Sequence, residues 1–223
     1  MSSFISRRHI IGGGLGLFTG VVPQLVTGCA EGQARAARGM GLEPPNRRGN
    51  IACGGCSVTE RNTEGPYYRS GAPFRSNLVD KGIPGVALTL HGTVQSIDCM
   101  PIAEALVDVW QADGEGRYDN DGTFAKDSPL RLRGRVRCDK TGAFTIRTVV
   151  PGNYLDGKKY RPAHIHVKVA GAGHQELTTQ LYFPEDRYNE SDRFFLPSLV
   201  LDMSKDDQGL RGGYDFVLLP NRA

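Results

Sequence analysis

In the stretch YRPAHIHVKV, residues 160–169, two of the chain's five histidines stand one residue apart. From His164 the order is His, Ile, His, Val, Lys, Val. A period of two is that of a β-strand, in which residues i and i+2 project from one face. His164 and His166 therefore share a face, and Ile165 takes the other. Two parallel imidazoles make a two-point chelate for a transition metal. A hydrogen-bonded or solvent-facing pair has the same pattern, so the neighbourhood decides.

That neighbourhood is phenolic. Tyr154 and Tyr160 precede the histidines, and Tyr118 closes the stretch DVWQADGEGRY. There is no HExxH, no carboxylate beside the histidine pair and no repeated CxxC with zinc spacing. A free phenol titrates near ~10 and ligates poorly at neutral pH. A strongly Lewis-acidic ferric ion would stabilise the phenolate and lower that value by direct charge. Two phenolates and two neutral imidazoles suit Fe(III), because their charges offset most of the ion's own. Zinc more usually takes cysteine, histidine and a carboxylate.

Such side chains need a rigid scaffold, and the chain reads as β. Val86–Val94, Ala105–Trp110, Arg131–Cys138, Ala143–Val150, the stretch HIHVKVAG, then LTTQLYF and YDFVLL, alternate or carry strand-forming residues. Turn residues separate them: DKTG, PGN and AGAG. Short strands with period-two patterning and punctuated turns predict an all-β fold, an antiparallel β-sandwich core with long loops and an extended N-terminal arm. The stretch SDRFFLPSLV makes a helical turn at most. At 223 residues the chain is long enough for one domain with a sizeable core plus extra segments. Its net charge of +3 is mild, and no basic stripe carries interleaved aromatics, so nucleic acid is not an expected partner.

The N-terminus reads as a separate unit. Arg7 and Arg8 precede a glycine-diluted apolar run that ends at Cys29. That order is the order of an export signal, and the paired arginines point to the twin-arginine route. LVTGC resembles a lipobox, in which case Cys29 is lipidated and attaches the chain to a membrane; an ordinary signal cleaved elsewhere is the alternative. Residues 1–29 are thus the export signal, 30–52 a flexible tether rich in small, polar and basic residues, and 53–223 the folded domain. The expected location is the periplasm or cell envelope. Cys53, Cys56, Cys99 and Cys138 remain; an oxidising compartment would permit disulfides among them, and their pairing is open.

The motifs TEGPYY, DVWQADGEGRY, PGNY, RPAHIHVKV and TTQLYF occur here in the order seen in intradiol ring-cleavage dioxygenases, the catechol and protocatechuate types. The resemblance runs from about Cys56 to Pro220. It implies a β-sandwich holding a non-haem Fe(III) by two tyrosines and two histidines. Tyr118 resembles the equatorial tyrosine ligand and Tyr154 the axial one, which leaves the metal when substrate binds and takes a proton. His164 and His166 resemble the histidine ligands, Arg161 the active-site arginine over the substrate ring, and Gln180 a glutamine lining the same cavity. The implied reaction cleaves a small aromatic diol with O2 between its two hydroxyl-bearing carbons, giving a cis,cis-muconate-type diacid.

Other residues carry plainer readings. Tyr160 rivals Tyr154 by proximity to the histidines, but PGxY marks Tyr154. Trp110, the single tryptophan, reads as core. Tyr67 and Tyr68 border the substrate mouth or pack the arm. Two features depart from the family: residues 30–62 lack a counterpart of the helical dimerisation segment of catechol-type enzymes, and the chain carries an export signal. Substrate and oligomeric state therefore stay open. The competing functions are an aromatic- or sugar-binding sandwich without catalysis and a different metal-dependent oxidase.

Overall fold

A computed structural model describes residues 55–122 and 129–222. The export signal, Cys29, the tether and Cys53 lie outside the described residues. Eleven strands are present among the described residues: β1 (Ala87–Ser96), β2 (Leu106–Gln111), β3 (Arg133–Arg137), β4 (Ala143–Val149), β5 (Tyr154–Asp156), β6 (Lys159–Arg161), β7 (His164–Ala170), β8 (Leu177–Tyr182), β9 (Asp202–Asp206), β10 (Gly209–Gly213) and β11 (Phe216–Leu218). Two single 3-10 turns, Asn189–Ser191 and Pro197–Leu199, are the only helical elements among the described residues.

The strands form two main sheets and a hairpin. Sheet one runs β11-β1-β10-β9, with β4 also paired to β1; sheet two runs β3-β2-β7-β8; β5 and β6 pair with each other. Sheet two is antiparallel throughout. Sheet one is mixed, because β1 pairs in parallel first with β10 and then with β11. The all-β sandwich is as expected and mostly antiparallel; the two parallel pairings of β1 go beyond it, because alternation tells which face a residue takes but not the direction of the neighbouring strand. Leu88, Leu90, Val94 and Ile146 of sheet one bury against Val107, Val109, Ile165, Val167 and Leu181 of sheet two. Four strands escape the alternation rule. β5, β6, β9 and β10 have no continuous buried face, so no apolar period marks them.

The N-terminal arm crosses the edge of the sandwich. The Cys56 amide donates to Ile97 O, and a disulfide joins Cys56 to Cys99. Thr59 exchanges two hydrogen bonds with Val217 of β11, and Asn62 N donates to Thr178 O of β8. Thr179 Oγ1 donates to Glu60 O at 2.8 Å. The arm thus ties both sheets together before it reaches Thr63. Cys138 is free and buried, and burial pushes its thiol up to about 11, so it stays protonated and inert.

The disulfide closes a loop of 43 residues, for which the loss of chain entropy in the unfolded state corresponds to about 4 kcal/mol. Cys99→Ser is therefore expected to lower the unfolding free energy by an amount of that order, read as a lower denaturant midpoint with a slope equal or steeper, since the released unfolded chain exposes more surface. A midpoint equal to that of the parent protein would mean that the arm is held by its hydrogen bonds alone.

Candidate metal centre

The functional side chains stand on the outer face of sheet two, not between the sheets. Register places Arg133, Trp110, His166 and Gln180 in one row across β3, β2, β7 and β8. His164 lies two residues along, opposite Tyr182. Ile165 turns into the core, fully buried. The alternation read from YRPAHIHVKV thus sets both imidazoles on one face.

The tyrosines arrive on loops. Tyr118 follows the turn Asp113–Arg117, which Asp113 holds by accepting from the amides of Glu115 and Arg117 and from the Arg117 guanidinium. Asp119, next in sequence, is anchored by the buried Arg133 guanidinium at 2.8 and 2.9 Å. Tyr154 opens β5 directly after the Pro151-Gly152-Asn153 turn. The two loops touch: a Cβ on Gly152 would sit 2.6 Å from Gly114 O and Gly116 N. The glycines of DGEGRY and PGNY are what permit this approach.

The four rings form a closed circuit. Centroids lie 5.6 Å apart for Tyr118–Tyr154, 5.6 Å for Tyr154–His164, 4.9 Å for His164–His166 and 6.2 Å for His166–Tyr118. Tyr160 stands outside it, exposed and stacked on Tyr188. Among the described residues no three of His, Cys, Asp and Glu converge to hold an ion. Phenols complete the set around this imidazole pair instead.

Three polar atoms in this circuit are buried without a hydrogen-bond partner: Tyr118 Oη, His164 Nε2 and His166 Nδ1. Buried polar groups are almost always paired, because an unpaired one costs roughly 1–3 kcal/mol. Three of them on neighbouring rings of one circuit suit donors to a ligand. The other nitrogen of His164, Nδ1, lies 2.7 Å from Pro162 O and donates to that carbonyl, which leaves Nε2 with its lone pair free. The His166 ring also hydrogen-bonds the backbone of Thr63.

The electrostatics agree with a cation at this point. Burial, then the Arg161 charge, lowers His164 to about 3, and burial with His164 and Arg161 holds His166 well below its usual range. Both imidazoles are therefore neutral donors at neutral pH. Burial raises Tyr118 and Tyr154, opposed for both by Arg161. Neither phenol ionises by itself, so a strong Lewis acid is needed to make phenolates of them. The residues thus fit a ferric ion.

Those imidazoles also set an acid limit for the metal-free protein. Between pH 6.5 and about 3 the unfolded chain binds protons that the folded His164 does not, so folding free energy diminishes as pH falls through that window. A loss on the order of a few kcal/mol between pH 7 and pH 4 is expected, read as a falling urea midpoint. In His164→Gln that fall should be much shallower; an equal fall would assign the acid sensitivity elsewhere.

Around the rings stand residues whose roles the sequence does not announce. Trp110 is buried, as read, in a small core cluster with Ala112 and Tyr118, and it also stacks on His166 at 4.9 Å and 7°. The period of β2 fails to reveal this because both faces of the strand are buried, one by the core and one by the arm. Tyr68 packs edgewise on Trp110, and Tyr67 stacks on Tyr118 at 4.3 Å. Gly65 backs His166; a Cβ there would lie 3.1 Å from the ring. Arg161 is buried, hydrogen-bonds Tyr154, and is clamped by Asp192 at 2.7 Å and Gln180 at 2.9 Å. Gln180 is fully buried and also donates to Thr63 O. Asp192 lies 31 residues from Arg161, and no local pattern links them.

Comparison with known proteins gives a consistent outcome. Residues 63–220 match a family profile, Dioxygenase_C, described as Dioxygenase. Catechol 1,2-dioxygenase 2 of Acinetobacter lwoffii is 37% identical over 148 residues, 58% of this chain and 53% of that protein. The 6-chlorohydroxyquinol 1,2-dioxygenase of Cupriavidus pinatubonensis is 32% identical, covering 74% of this chain and 66% of its own. Among solved structures, the dioxygenase domain of a dioxygenase–carbohydrate-binding protein fusion from the cellulolytic bacterium Streptomyces sp. SirexAA-E superposes with a TM-score of 0.64 at 39% identity, over 74% of this chain and 100% of that one. The 3-chlorocatechol 1,2-dioxygenase of Rhodococcus opacus gives 0.68 at 30% identity, over 73% of each. The chain spans about half the length of the first curated relatives it matches.

Proposed function

We infer that this chain, which belongs to the intradiol ring-cleavage dioxygenase family, opens the aromatic ring of a catechol between its two hydroxyl-bearing carbons, incorporating both atoms of O2 into a cis,cis-muconate-type diacid. The observation that carries this reading is the closed circuit of Tyr118, Tyr154, His164 and His166 with its three buried, unpartnered donor atoms. These four residues would hold Fe(III). Bound there, ferric iron would supply the Lewis acidity that deprotonates a catechol and withdraws electron density from its ring, priming it for dioxygen.

The chain's own groups divide the remaining work. Tyr154 is the less buried of the two tyrosines and sits on a short hairpin, so it is the phenol free to swing away. Its Oη can then take one of the substrate's hydroxyl protons as a built-in base. Arg161 keeps its charge at any working pH and is fixed by Asp192 and Gln180 beside Tyr154, where it stabilises negative charge developing on substrate oxygens. Trp110 fixes the plane of His166 and excludes water behind it. Tyr67, over Tyr118, narrows the approach.

We place the enzyme outside the cytoplasm. The paired arginines before an apolar run support that location, and so does the Cys56–Cys99 disulfide, a bond rare in reducing compartments. Lipidation of Cys29 would hold it at a membrane, and mass spectrometry of the mature N-terminal peptide tests this. The activity is tested by oxygen uptake with catechol, protocatechuate, hydroxyquinol and chlorinated catechols, with product identification. Stoichiometric O2 consumption, a ring-opened diacid and a red-brown ferric-tyrosinate colour are expected. Colourless protein that binds zinc and consumes no oxygen would overturn the reading.

A further inference from the structure

We propose that Asp186 is a positioning residue that sets the spacing between Tyr154 and His164. The proposal rests on the reading that these two residues are metal ligands. They begin two different strands, β5 and β7, and the chain between them makes an exposed hairpin of three-residue strands. Leu155 and Tyr160 on that hairpin are exposed, so little burial holds it down. The pairing of Tyr154 with Arg161 fixes the hairpin internally, and the Arg161 guanidinium ties its far strand to Gln180 of β8; the entry to the hairpin needs an attachment of its own.

Asp186 supplies that attachment with one oxygen. Its Oδ2 accepts from Asn153 Nδ2 at 2.7 Å and from the Ala163 amide at 2.9 Å. Asn153 immediately precedes Tyr154, and Ala163 immediately precedes His164. The second oxygen, Oδ1, accepts from the Tyr188 amide at 2.9 Å, which holds the carboxylate in place. Its charge is therefore met by three N–H donors, and hydrogen bonds to an ionised acceptor are about twice as strong as neutral ones. The segment carrying Asp186 is itself seated: Asn189 Nδ2 donates to Phe183 O, and Phe194 O accepts from Tyr182 Oη and Asn62 Nδ2. One carboxylate so bridges the Asn153 side chain, next to the ligand on the hairpin, and the Ala163 backbone, next to the ligand on the sheet.

Removing partners that orient metal ligands typically costs about 10- to 100-fold in metal affinity or activity. The iron-loaded protein is therefore compared as parent, Asp186→Ala, Asn153→Ala and Asn189→Ala. Readouts are the ferric-tyrosinate absorption band, the rate of iron loss to a strong chelator, and the melting temperature. Iron loss is expected to quicken at least ~10-fold in Asp186→Ala and to a lesser degree in Asn153→Ala, with a displaced band in both. Asn189→Ala loosens the same segment without removing a donor of the bridge, and should lower the melting temperature while moving band and chelation rate less than Asn153→Ala does. If Asp186→Ala fails to fold, Asn153→Ala alone decides. An unmoved band and rate in the bridge variants overturns the proposal, as does an equal change in Asn189→Ala. A parent protein that shows no such band at all overturns the ligand reading together with it.

Discussion

Tyr118→Phe is expected to abolish ring cleavage and to weaken and shift the red-brown colour, which Tyr154 alone would then carry, while leaving the metal-free protein as stable as before, or more so. The two effects have opposite signs because one oxygen atom causes both. In the metal-free fold that oxygen is buried to 1% exposure and has no partner. Its removal relieves an unpaired buried hydroxyl, a gain on the order of 1 kcal/mol. In the loaded protein the same oxygen is a ligand without a substitute, since the ring stacked on it, Tyr67, presents a face and not an oxygen. Turnover should fall by ~1000-fold or more, in the range seen when a member of a catalytic unit is removed. Thermal melts of the metal-free proteins and oxygen uptake after iron loading measure the two arms. A melting temperature several degrees below that of the parent would make Tyr118 a packing residue, and the circuit of rings an accident of packing.

Arg161→Leu carries the second large effect. Its turnover should fall about 100- to 1000-fold, the usual consequence of losing one preorganised group aimed at developing charge. Iron content should fall much less, because Arg161 binds through Tyr154 and is not itself in the ring circuit. Stability, however, suffers: Asp192 would be left buried and unpaired, at a cost of about 3–5 kcal/mol. The double variant Arg161→Leu/Asp192→Leu removes that buried charge and should recover much of the stability with none of the activity. Arg161→Lys keeps the charge but not the fork that reaches Asp192 and Gln180 together, and so should lie between parent and leucine in turnover. Parallel loss of iron and activity in the double variant would assign Arg161 a structural role only.

Much of the site is legible in the sequence because its parts obey local rules. His164 and His166 share a face since β7 has one core side and one outer side, and Ile165 reads the core side. The glycines of DGEGRY and PGNY mark where two loops must meet closely enough to bring Tyr118 and Tyr154 together. What stays hidden is non-local. Asp192, Asp186 and Thr63 reach the site from segments without period, through hydrogen bonds across 23 to 117 positions. Trp110 is buried as its strand suggests, but its stacking on His166 comes from the neighbouring strand and leaves no mark along β2. The parallel pairings of β1 are hidden for a related reason: β9 and β10 are exposed and carry no apolar code, so the C-terminal strands disclose neither their partner nor their direction.

The arm has an implication for the order of events in synthesis. Thr59 bonds to Val217 across 158 positions, and Thr63, beside His166, is held through Gln180. The earliest part of the domain to leave the ribosome thus waits for β8, and for the last strand, before it can dock in full. A nascent or C-terminally truncated chain would have its histidines and tyrosines but no wall behind them. Metallation should consequently be a late event that follows release of the finished polypeptide, and pulse-labelled chains lacking β11 should capture no iron.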